Sequence, residues 1–294
     1  MRVGTVRIDE RTRLAVLDGG RVLVGKSAGL LELLRSGGRL EDESLMETPE
    51  GEFELDAPIR PSVLLCCGQN YSDHLAEQGT AGRSEPEFFV KAGQTIGAPQ
   101  APFLLDRRVT AKLDYETELG VVVGRELKNA SIDEARDAIF GYVVMNDLSA
   151  RDRQVKGGGR MALGPGKNFD GATRLAQWVV TADEISDPQR LAISTTVNGE
   201  ERQSNSTANM IYGCAEIVST FSGVITLLPG TIVATGTPGG TGLGCDEELG
   251  GRGLTPAGCV PACYLEFGDV VVSEIEAVGT LTFAVVEDGP GRRP

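Results

Sequence analysis

Apolar and polar residues alternate over many short stretches of the chain, and this alternation predicts a protein built mostly of strands. The stretches MRVGTVRID and RLAVLD come first, and Asp18-Gly19-Gly20 then favours a hairpin turn into RVLVG. The segment SAGLLELLRSGG has helical spacing instead, with Ser27 expected at its start and Gly37 after its end. Residues 1–57 are therefore predicted to form a small β-rich domain, with the acidic stretch EDESLMETPEGEFELDAPIRP as a linker.

From residue 58 to residue 294 the pattern predicts one larger domain of short strands separated by Gly/Pro turns. The clearest predicted strands are VLLCCG, TELGVVVG, IFGYVVMND, QWVVTAD, LAISTTVNGE, TIVATGTP and VVVSEIEAVGTLTFAVVE. Helices are expected around SDHLAEQG, SIDEARDAIF and ANMIYGCAEIVSTFSG, and the terminal GPGRRP is expected to be loose. This mixture favours an α+β fold, predominantly β, with a rolled or sandwiched sheet.

The composition is that of an ordinary soluble protein, and it argues against several classes of partner. Of the 294 residues, 40% are hydrophobic and 24% charged. No stretch of the sequence is long and apolar enough to span a membrane, and MRVGTVRIDERTRL lacks the apolar core of a secretory signal. The net charge of −14 argues against nucleic acid or an anionic membrane as a partner. We therefore expect a cytoplasmic protein, and the acidity does not exclude a small anionic substrate, because a local cation can reverse the field inside a pocket.

Six cysteines leave two interpretations open. Cys66 and Cys67 follow VLL on a predicted buried strand, where cysteine behaves as a small hydrophobic residue. Cys245, Cys259 and Cys263 lie in a glycine-rich segment, but a structural zinc site usually needs two short Cys-x₂₋₄-Cys pairs and here there is one. Free thiols in a reducing compartment are favoured, and a zinc or redox site is the alternative.

The stretch LDYETELGVVVG carries three acids into a strand that must be buried. Side chains two residues apart share a face in an extended chain, so Asp114, Glu116 and Glu118 are expected on one side. One interpretation is a solvent-facing edge whose charge discourages aggregation. A second acid-bearing strand favours another: IFGYVVMND ends at Asp147. Glu116, Glu118 and Asp147 would give three oxygen ligands for Mg²⁺ or Mn²⁺, leaving coordination positions for water and a chelating substrate.

A histidine and several polar residues complete the candidate site. His74, the single histidine of the chain, precedes Glu77 by three residues, which puts the two on one helix face. The pair could be a modest helix contact, or a general base oriented by a carboxylate on a glycine-bounded lid. Arg151 and Lys167 could be surface residues, or could offset the negative charge of the site, and the neutral Gln154 follows Arg151 on the same segment.

Taken together, the segments resemble the fumarylacetoacetate hydrolase family. The matching stretches are collinear over roughly residues 61–286: CGQNYSDHLAE, PEFFVKAGQTIG, LDYETELGVVVG, GYVVMNDLSARDRQ, GKNFDG, VNGEERQ, LLPGTIVATGTPGG and GDVVVSEIEAVGTL. The resemblance implies a mixed β-roll, preceded by a small N-terminal domain, and a homodimer. It also implies a divalent metal, Mg²⁺ or Mn²⁺ with Ca²⁺ as a further candidate, and an oxo acid as substrate.

The resemblance assigns roles to residues at matching positions. It implies that Glu116, Glu118 and Asp147 bind the metal, and that the lid carries a catalytic dyad. The implied catalytic residues are His74, Glu77 and Lys167, and the implied substrate-binding residues are Arg151, Gln154 and Thr237. The lid, Tyr71–Gly79, is expected to be mobile without substrate and to close over the metal when an oxo acid binds.

The expected reaction is metal-dependent hydrolysis of a C–C bond in a 2,4-dioxo acid such as an acylpyruvate or fumarylpyruvate. Decarboxylation, enol–keto isomerisation or hydration of a 2-oxo acid are the alternatives within the family, and a catalytically silent metal-binding partner subunit is an alternative of another class. The stretches ATRLAQW and GTPGGTGLG depart from the family pattern, as does a cysteine-bearing insertion from Cys245 to Cys263. These departures border the expected pocket, so a substrate from a specialised biosynthetic pathway is a further candidate.

Overall fold

A computed structural model describes residues 1–48, 51–82, 84–156 and 160–288. Its helices are α1 Leu30–Arg35, α2 Ser72–Gln78, α3 Ile132–Arg136, α4 Arg151–Gln154, α5 Leu163–Lys167 and α6 Cys214–Val224. Its strands are β1 Arg2–Ile8, β2 Arg11–Asp18, β3 Arg21–Val24, β4 Met46–Glu47, β5 Glu54–Leu55, β6 Val63–Cys67, β7 Phe88–Ala92, β8 Phe103–Leu105, β9 Leu113–Asp114, β10 Thr117–Val123, β11 Ile139–Asp147, β12 Ser149–Ala150, β13 Val155–Lys156, β14 Arg160–Met161, β15 Thr173–Leu175, β16 Val179–Thr181, β17 Ala192–Val197, β18 Glu200–Ser206, β19 Ile232–Ala234, β20 Val270–Ile275 and β21 Gly279–Glu287.

Most of these strands belong to one twelve-stranded sheet. Its order is β4-β3-β2-β1-β16-β11-β10-β19-β6-β7, with β5 paired to β1 and β15 paired to β11. A second sheet has the order β18-β17-β20-β21-β8. Both contain a parallel pair, β19–β6 and β21–β8, among antiparallel neighbours. Strands β10 and β11 pack against β17, β20 and β21, so the predicted α+β fold with mixed, packed sheets is confirmed.

The N-terminal strands extend the large sheet rather than forming a separate one, because β1 pairs with β16. The hairpin predicted at Asp18-Gly19-Gly20 joins β2 and β3, and both glycines have the positive φ that such a tight turn requires. The division between residues 57 and 58 stays a prediction. None of the helices described here is long and apolar enough to cross a membrane.

Two local predictions are wrong. Helix α1 begins at Leu30 after Gly29 rather than at Ser27, because the Ser27 hydroxyl donates to Glu43 instead of capping the helix. The predicted linker is partly strand, since β4 and β5 lie within it and pair with β3 and β1. The terminal stretch 289–294, expected to be loose, lies outside the described residues.

Candidate metal centre and active site

Glu116, Glu118 and Asp147 lie together at one end of the central strand pair. Strands β10 and β11 are antiparallel with Thr117 opposite Asn146, so the register places Glu116 opposite Asp147. The Asp147 N–H accordingly donates to the Glu116 carbonyl at 2.8 Å. Glu118 lies two residues further on the same face. All three side chains are buried, and one oxygen from each lies within 4.8 Å of the others.

Three buried cations surround two of these carboxylates. Lys167 Nζ donates to Glu116 Oε2 at 2.6 Å and to Asp147 Oδ2 at 2.8 Å. Arg151 Nη2 donates to Glu116 Oε1 at 2.6 Å, and Lys91 donates to the other oxygen of Asp147. Burial raises the pKa of Glu116, but the charges of Lys167 and Arg151 outweigh burial and hold this pKa at about 2.

Glu118 is the carboxylate whose charge is not balanced. Among the described residues it forms no ion pair, and its recorded hydrogen bond comes from the Gly236 N–H to Oε2 at 2.8 Å. Burial, together with the negative charges of Asp147 and Glu116, raises the pKa of Glu118 well above its usual value. An additional positive charge close to Oε1 would therefore stabilise the ionised cluster.

These residues fit a divalent cation. Three carboxylates give the hard oxygen donors that Mg²⁺ and Mn²⁺ prefer. The mutual spacing of the oxygens is compatible with one shared ion, and such an ion would favour the ionised form of Glu118, which burial and the neighbouring carboxylates disfavour. The residues that would hold the metal are thus Glu116, Glu118 and Asp147.

The lid helix α2 places a histidine–carboxylate pair beside this centre. His74 Nδ1 lies 2.7 Å from Glu77 Oε1, and both side chains are buried. Glu77 also accepts hydrogen bonds from the Thr241 hydroxyl at 2.6 Å and from the Gly240 N–H at 2.7 Å. These contacts fix the carboxylate, and the carboxylate in turn orients the imidazole ring.

The cysteine-bearing insertion holds α2 from the outside. The Arg252 N–H donates to the Glu77 carbonyl at 2.9 Å. Gly79 ends the helix with a φ of +64°, and the Arg252 guanidinium lies against it. Gly244 packs so closely on Glu77 that an added Cβ would lie 2.4 Å from its Oε2. The lid is docked in this arrangement, and its opening without substrate stays a prediction.

A cavity of about 110 Å³ lies between the lid and the carboxylates. Gln154 Oε1 accepts from Arg151 Nη1 at 2.7 Å, and the Thr237 hydroxyl accepts from Gln203 Nε2 at 2.9 Å. The lining brings together most residues that the sequence singles out, namely His74, Glu116, Glu118, Arg151, Gln154, Lys167 and Thr237. Glu77 lies behind His74, and Asp147 lies behind Lys167, in hydrogen-bond contact with them.

Comparison with known proteins agrees with the geometry of this site. Residues 63–286 match the profile described as fumarylacetoacetate (FAA) hydrolase C-terminal. The chain belongs to the fumarylacetoacetate hydrolase family. It is 36% identical to the oxaloacetate tautomerase YisK of Bacillus subtilis over 235 residues, which is 79% of this chain and 72% of that protein.

Two solved structures extend the likeness to the fold. A fumarylacetoacetate hydrolase from the psychrophile Exiguobacterium antarcticum superposes with a TM-score of 0.81 at 31% identity, covering 98% of this chain and 99% of that one. A fumarylpyruvate hydrolase from Pseudomonas aeruginosa, in complex with Mn²⁺ and pyruvate, superposes with a TM-score of 0.66 at 28% identity, covering 79% and 91%. This member of the fumarylacetoacetate hydrolase family is therefore an enzyme, and its family binds divalent metal.

Asp114 does not join the carboxylate cluster, contrary to the expectation of one acidic face. Strand β9 ends at Asp114 and β10 begins at Thr117, so the alternation is interrupted between them. The Asp114 carboxylate accepts from the N–H groups of Gly242 and Leu243 at 2.8 and 2.9 Å, and from Arg151 Nε at 2.7 Å. Asp114 therefore connects the turn at Gly242 and Leu243, just before the insertion, to Arg151.

Lys91 is a site residue that sequence reasoning missed. It is fully buried on β7, donates to Asp147, and also donates to the Ala172 carbonyl at 3.0 Å. A lysine within the apolar run FFVKA was the available signal, because a buried lysine needs a charged partner. That partner lies 56 residues away in the sequence, so local pattern could not identify it.

The six cysteines, all within the described ranges, are free thiols. In the described part of the chain, no group of three metal-ligating side chains includes Cys245, Cys259 or Cys263. Burial raises the pKa of Cys66, and it raises the pKa of Cys67 to about 12, so these two thiols are held neutral. Cys66, Cys67 and Cys214 are buried as expected, whereas Cys245 and Cys259 are half-buried and Cys263 is exposed.

Proposed function

We propose that this enzyme interconverts the keto and enol forms of a small 2-oxo acid, with an oxaloacetate-like dicarboxylate as the substrate class. The observation that carries the proposal is the unpaired carboxylate of Glu118 facing a small cavity whose other walls carry Arg151 and Lys167. The positive charges of Arg151 and Lys167 on the cavity wall suit a small dicarboxylate. The name of the Bacillus subtilis relative agrees with this substrate class.

Glu116, Glu118 and Asp147 would hold a Mg²⁺ or Mn²⁺ ion, which would supply Lewis-acid stabilisation of the negative charge that develops on the acid. Arg151 and Lys167 hold the anionic substrate by charge. His74 exchanges a proton with C3 of the acid through Nε2, and Glu77 stabilises the imidazolium that forms. No water is consumed, since the enol and keto forms differ only in the position of one proton.

The test follows the ultraviolet absorbance of enol-oxaloacetate after dilution into buffer, with Mg²⁺, with Mn²⁺ and with EDTA. We expect metal-dependent acceleration of ketonisation above the spontaneous rate, lost in EDTA and restored by either ion. The reference is the isosteric Glu118→Gln variant, which keeps the cavity shape. Ketonisation at the spontaneous rate with both ions would overturn the proposal.

C–C hydrolysis of a 2,4-dioxo acid is the second candidate, and the His74–Glu77 pair favours it. In that reaction a water proton would pass to His74 Nε2, the hydroxide would add to the C4 carbonyl, and the C3–C4 bond would break with its electron pair leaving as the enolate of the 2-oxo acid. The Pseudomonas aeruginosa neighbour carries the name of such a hydrolase.

A panel with acetylpyruvate, fumarylpyruvate and oxaloacetate, read by mass spectrometry, separates hydrolysis from decarboxylation. No turnover of any member would leave the silent-subunit alternative. The choice between Mg²⁺, Mn²⁺ and Ca²⁺, the homodimer and the cytoplasmic location stay predictions, to be tested by metal titration, sedimentation and fractionation respectively.

A further inference from the structure

Gln78, the last residue of α2, covers the nitrogen of His74 that faces the cavity. Its side-chain Nε2 lies 2.6 Å from His74 Nε2 and 3.5 Å from His74 Nδ1, so the contact is with the outer ring nitrogen. Gln69 Nε2 donates to Gln78 Oε1 at 3.3 Å and to the Thr80 hydroxyl at 3.3 Å. Gln69, Gln78 and His74 all line the cavity.

The hydrogen bonds of this chain fix the direction of each donor. Glu77 is an acceptor, so the proton of a neutral imidazole lies on Nδ1 and the lone pair lies on Nε2. That lone pair accepts from the Gln78 amide. The Gln78 oxygen is accordingly turned toward the donor of Gln69, and each group in the series from Gln69 to Glu77 donates to the next.

The hydrogen bond from Gln78 to His74 limits access to Nε2 more for water than for a substrate that is already bound. A water molecule must break the Gln78–His74 hydrogen bond to reach Nε2. An acid held by its carboxylate and oxo oxygen reaches the same nitrogen from a fixed position, which gives it a large effective concentration. The amide is therefore displaced more readily by the anchored acid than by free water.

We propose that Gln78 is a specificity-determining residue that keeps water from His74 Nε2 and so favours proton exchange with the substrate over hydrolysis. The inference rests on the proposed role of His74 as the proton carrier. Gln69 supports it by holding the carbonyl end of Gln78, and Gln69 itself has a φ of +56°, in a region that a glutamine rarely adopts.

The variant that tests the proposal is Gln78→Met, which keeps length, volume and helix propensity but removes the donor. The matched control on the same helix is Ala76→Ser, whose side chain is exposed. Because the chain has a single histidine, protein labelled with nitrogen-15 histidine gives the two ring resonances of His74 alone. In Mg²⁺, we expect a through-hydrogen-bond coupling between a Gln78 side-chain amide proton and His74 Nε2 in the wild type and its loss in Gln78→Met, while Nδ1 stays protonated in both.

The kinetic test compares kcat/KM for ketonisation of enol-oxaloacetate with kcat/KM for hydrolysis of acetylpyruvate. In Gln78→Met the ratio of hydrolysis to ketonisation should rise by roughly five- to tenfold, the value of one neutral hydrogen bond. Ala76→Ser should leave both the ratio and the ring resonances at the wild-type values.

Three results decide against the inference. Absence of the through-hydrogen-bond coupling in the wild type means that the amide does not bond to the ring in solution. An unchanged or lower ratio, including hydrolysis that stays undetectable in both proteins, means that Gln78 does not exclude water. If the wild-type enzyme accelerates neither reaction, the proposed function is overturned, and this inference falls with it. If the wild-type enzyme accelerates ketonisation and Gln78→Met leaves the ratio of hydrolysis to ketonisation unchanged, only the inference is overturned.

Discussion

The strand pair β10–β11 and the helix α2 contribute to one cavity, but they are held in place differently. Every residue of β10 is buried, and pairing with β11 on one side and β19 on the other fixes its register. Helix α2 has seven residues, of which His74, Leu75 and Glu77 are buried. A helix this short is marginal by itself, so its position depends on contacts with residues distant in sequence.

The comparison teaches that metal binding and proton transfer should be separable by mutation. The three carboxylates are anchored in the sheet, whereas the dyad is anchored by hydrogen bonds from the loop at Gly240 and Thr241 and from the insertion at Arg252. Changes to the dyad or to the contacts that anchor it should therefore lower turnover and leave the metal affinity unchanged. Changes to the carboxylates should lower both.

The largest effect on metal binding and turnover is expected from Glu118→Gln, which alters strand β10. We expect Mg²⁺ binding to be lost and turnover to fall by roughly 10³-fold, because a Lewis acid supplies several kcal/mol of transition-state stabilisation. In EDTA the same variant should have a higher Tm than wild type, since it removes a buried carboxylate that has no ion pair. Calorimetric titration and thermal unfolding measure the two outcomes.

Glu126→Gln is the matched control for that change, because Glu126 is an exposed acid shortly after β10. It should alter neither Mg²⁺ affinity nor the Tm in EDTA. Wild-type Mg²⁺ affinity in Glu118→Gln would remove Glu118 from the ligand set. A lower Tm in EDTA would show that its charge is compensated in the fold.

The next prediction concerns turnover after a change in helix α2. His74→Ala should lower kcat by roughly 10²–10⁴-fold, because the proton carrier of the cavity is removed. Mg²⁺ affinity should stay at the wild-type value, since the histidine contacts Glu77 and Gln78 rather than the carboxylate cluster. Full turnover would refute the assigned role. Loss of Mg²⁺ binding would show that the two regions are not separable.

A smaller effect is expected from Gly244→Ala, immediately before the insertion. The added Cβ would lie 2.4 Å from Glu77 Oε2, so the carboxylate must shift and the imidazole loses its orientation. A displacement of about 1 Å in a catalytic group can cost 10²-fold, and we expect kcat to fall by roughly 10- to 100-fold with Mg²⁺ affinity unchanged. The readout is steady-state kinetics beside a Mg²⁺ titration.

Gly223→Ala serves as its control, because a Cβ at this position of α6 meets no atom within 4 Å. Its kcat should match wild type, and its stability should be equal or slightly higher, as for other helical glycines. If Gly244→Ala keeps the wild-type kcat, the close packing of Gly244 on Glu77 does not position the His74–Glu77 pair.

The contrast between local patterns and contacts with residues distant in sequence also explains which parts of the site could be predicted from the sequence. The placement of Glu116, Glu118 and Asp147 follows from strand alternation and from an acid at a strand end, which are local patterns, and the structure brings these residues together. Asp114 breaks the pattern because the strand is interrupted after it. No periodicity predicts such an interruption, since it depends on hydrogen bonds to Gly242 and Leu243, more than a hundred residues later.

Residues whose role depends on a distant partner were not predicted. Lys91 looked like an ordinary strand lysine, and its burial against Asp147 depends on how β7 and β11 are brought together. Gln78 was unremarkable in sequence, although its contact with His74 spans one helical turn. The start of α1 was misplaced for a similar reason, since the competing partner of Ser27 is Glu43 in the supposed linker.

Hydrogen bonds also attach the insertion to the rest of the protein. Removing one of them gives the smallest expected effect that still tests the difference between helix α2 and the strand pair β10–β11. Asp246 accepts hydrogen bonds from Tyr264 Oη and from Lys112 Nζ, both at 2.6 Å. Its carbonyl accepts from the Gly251 N–H at 2.8 Å. These bonds tie the segment that carries Arg252 to the chain just before β9.

Tyr264→Phe removes one of these bonds and keeps the ring, so the loss in stability should be about 1 kcal/mol, or roughly 2 °C in Tm. The effect should be local: exchange of the Arg252 N–H, which donates to Glu77, should quicken by up to about fivefold, equivalent to ~1 kcal/mol. The Val121 N–H in β10 should exchange at the wild-type rate. Equal acceleration at both amides would mean that insertion and sheet open together, and that the distinction between the two regions does not hold.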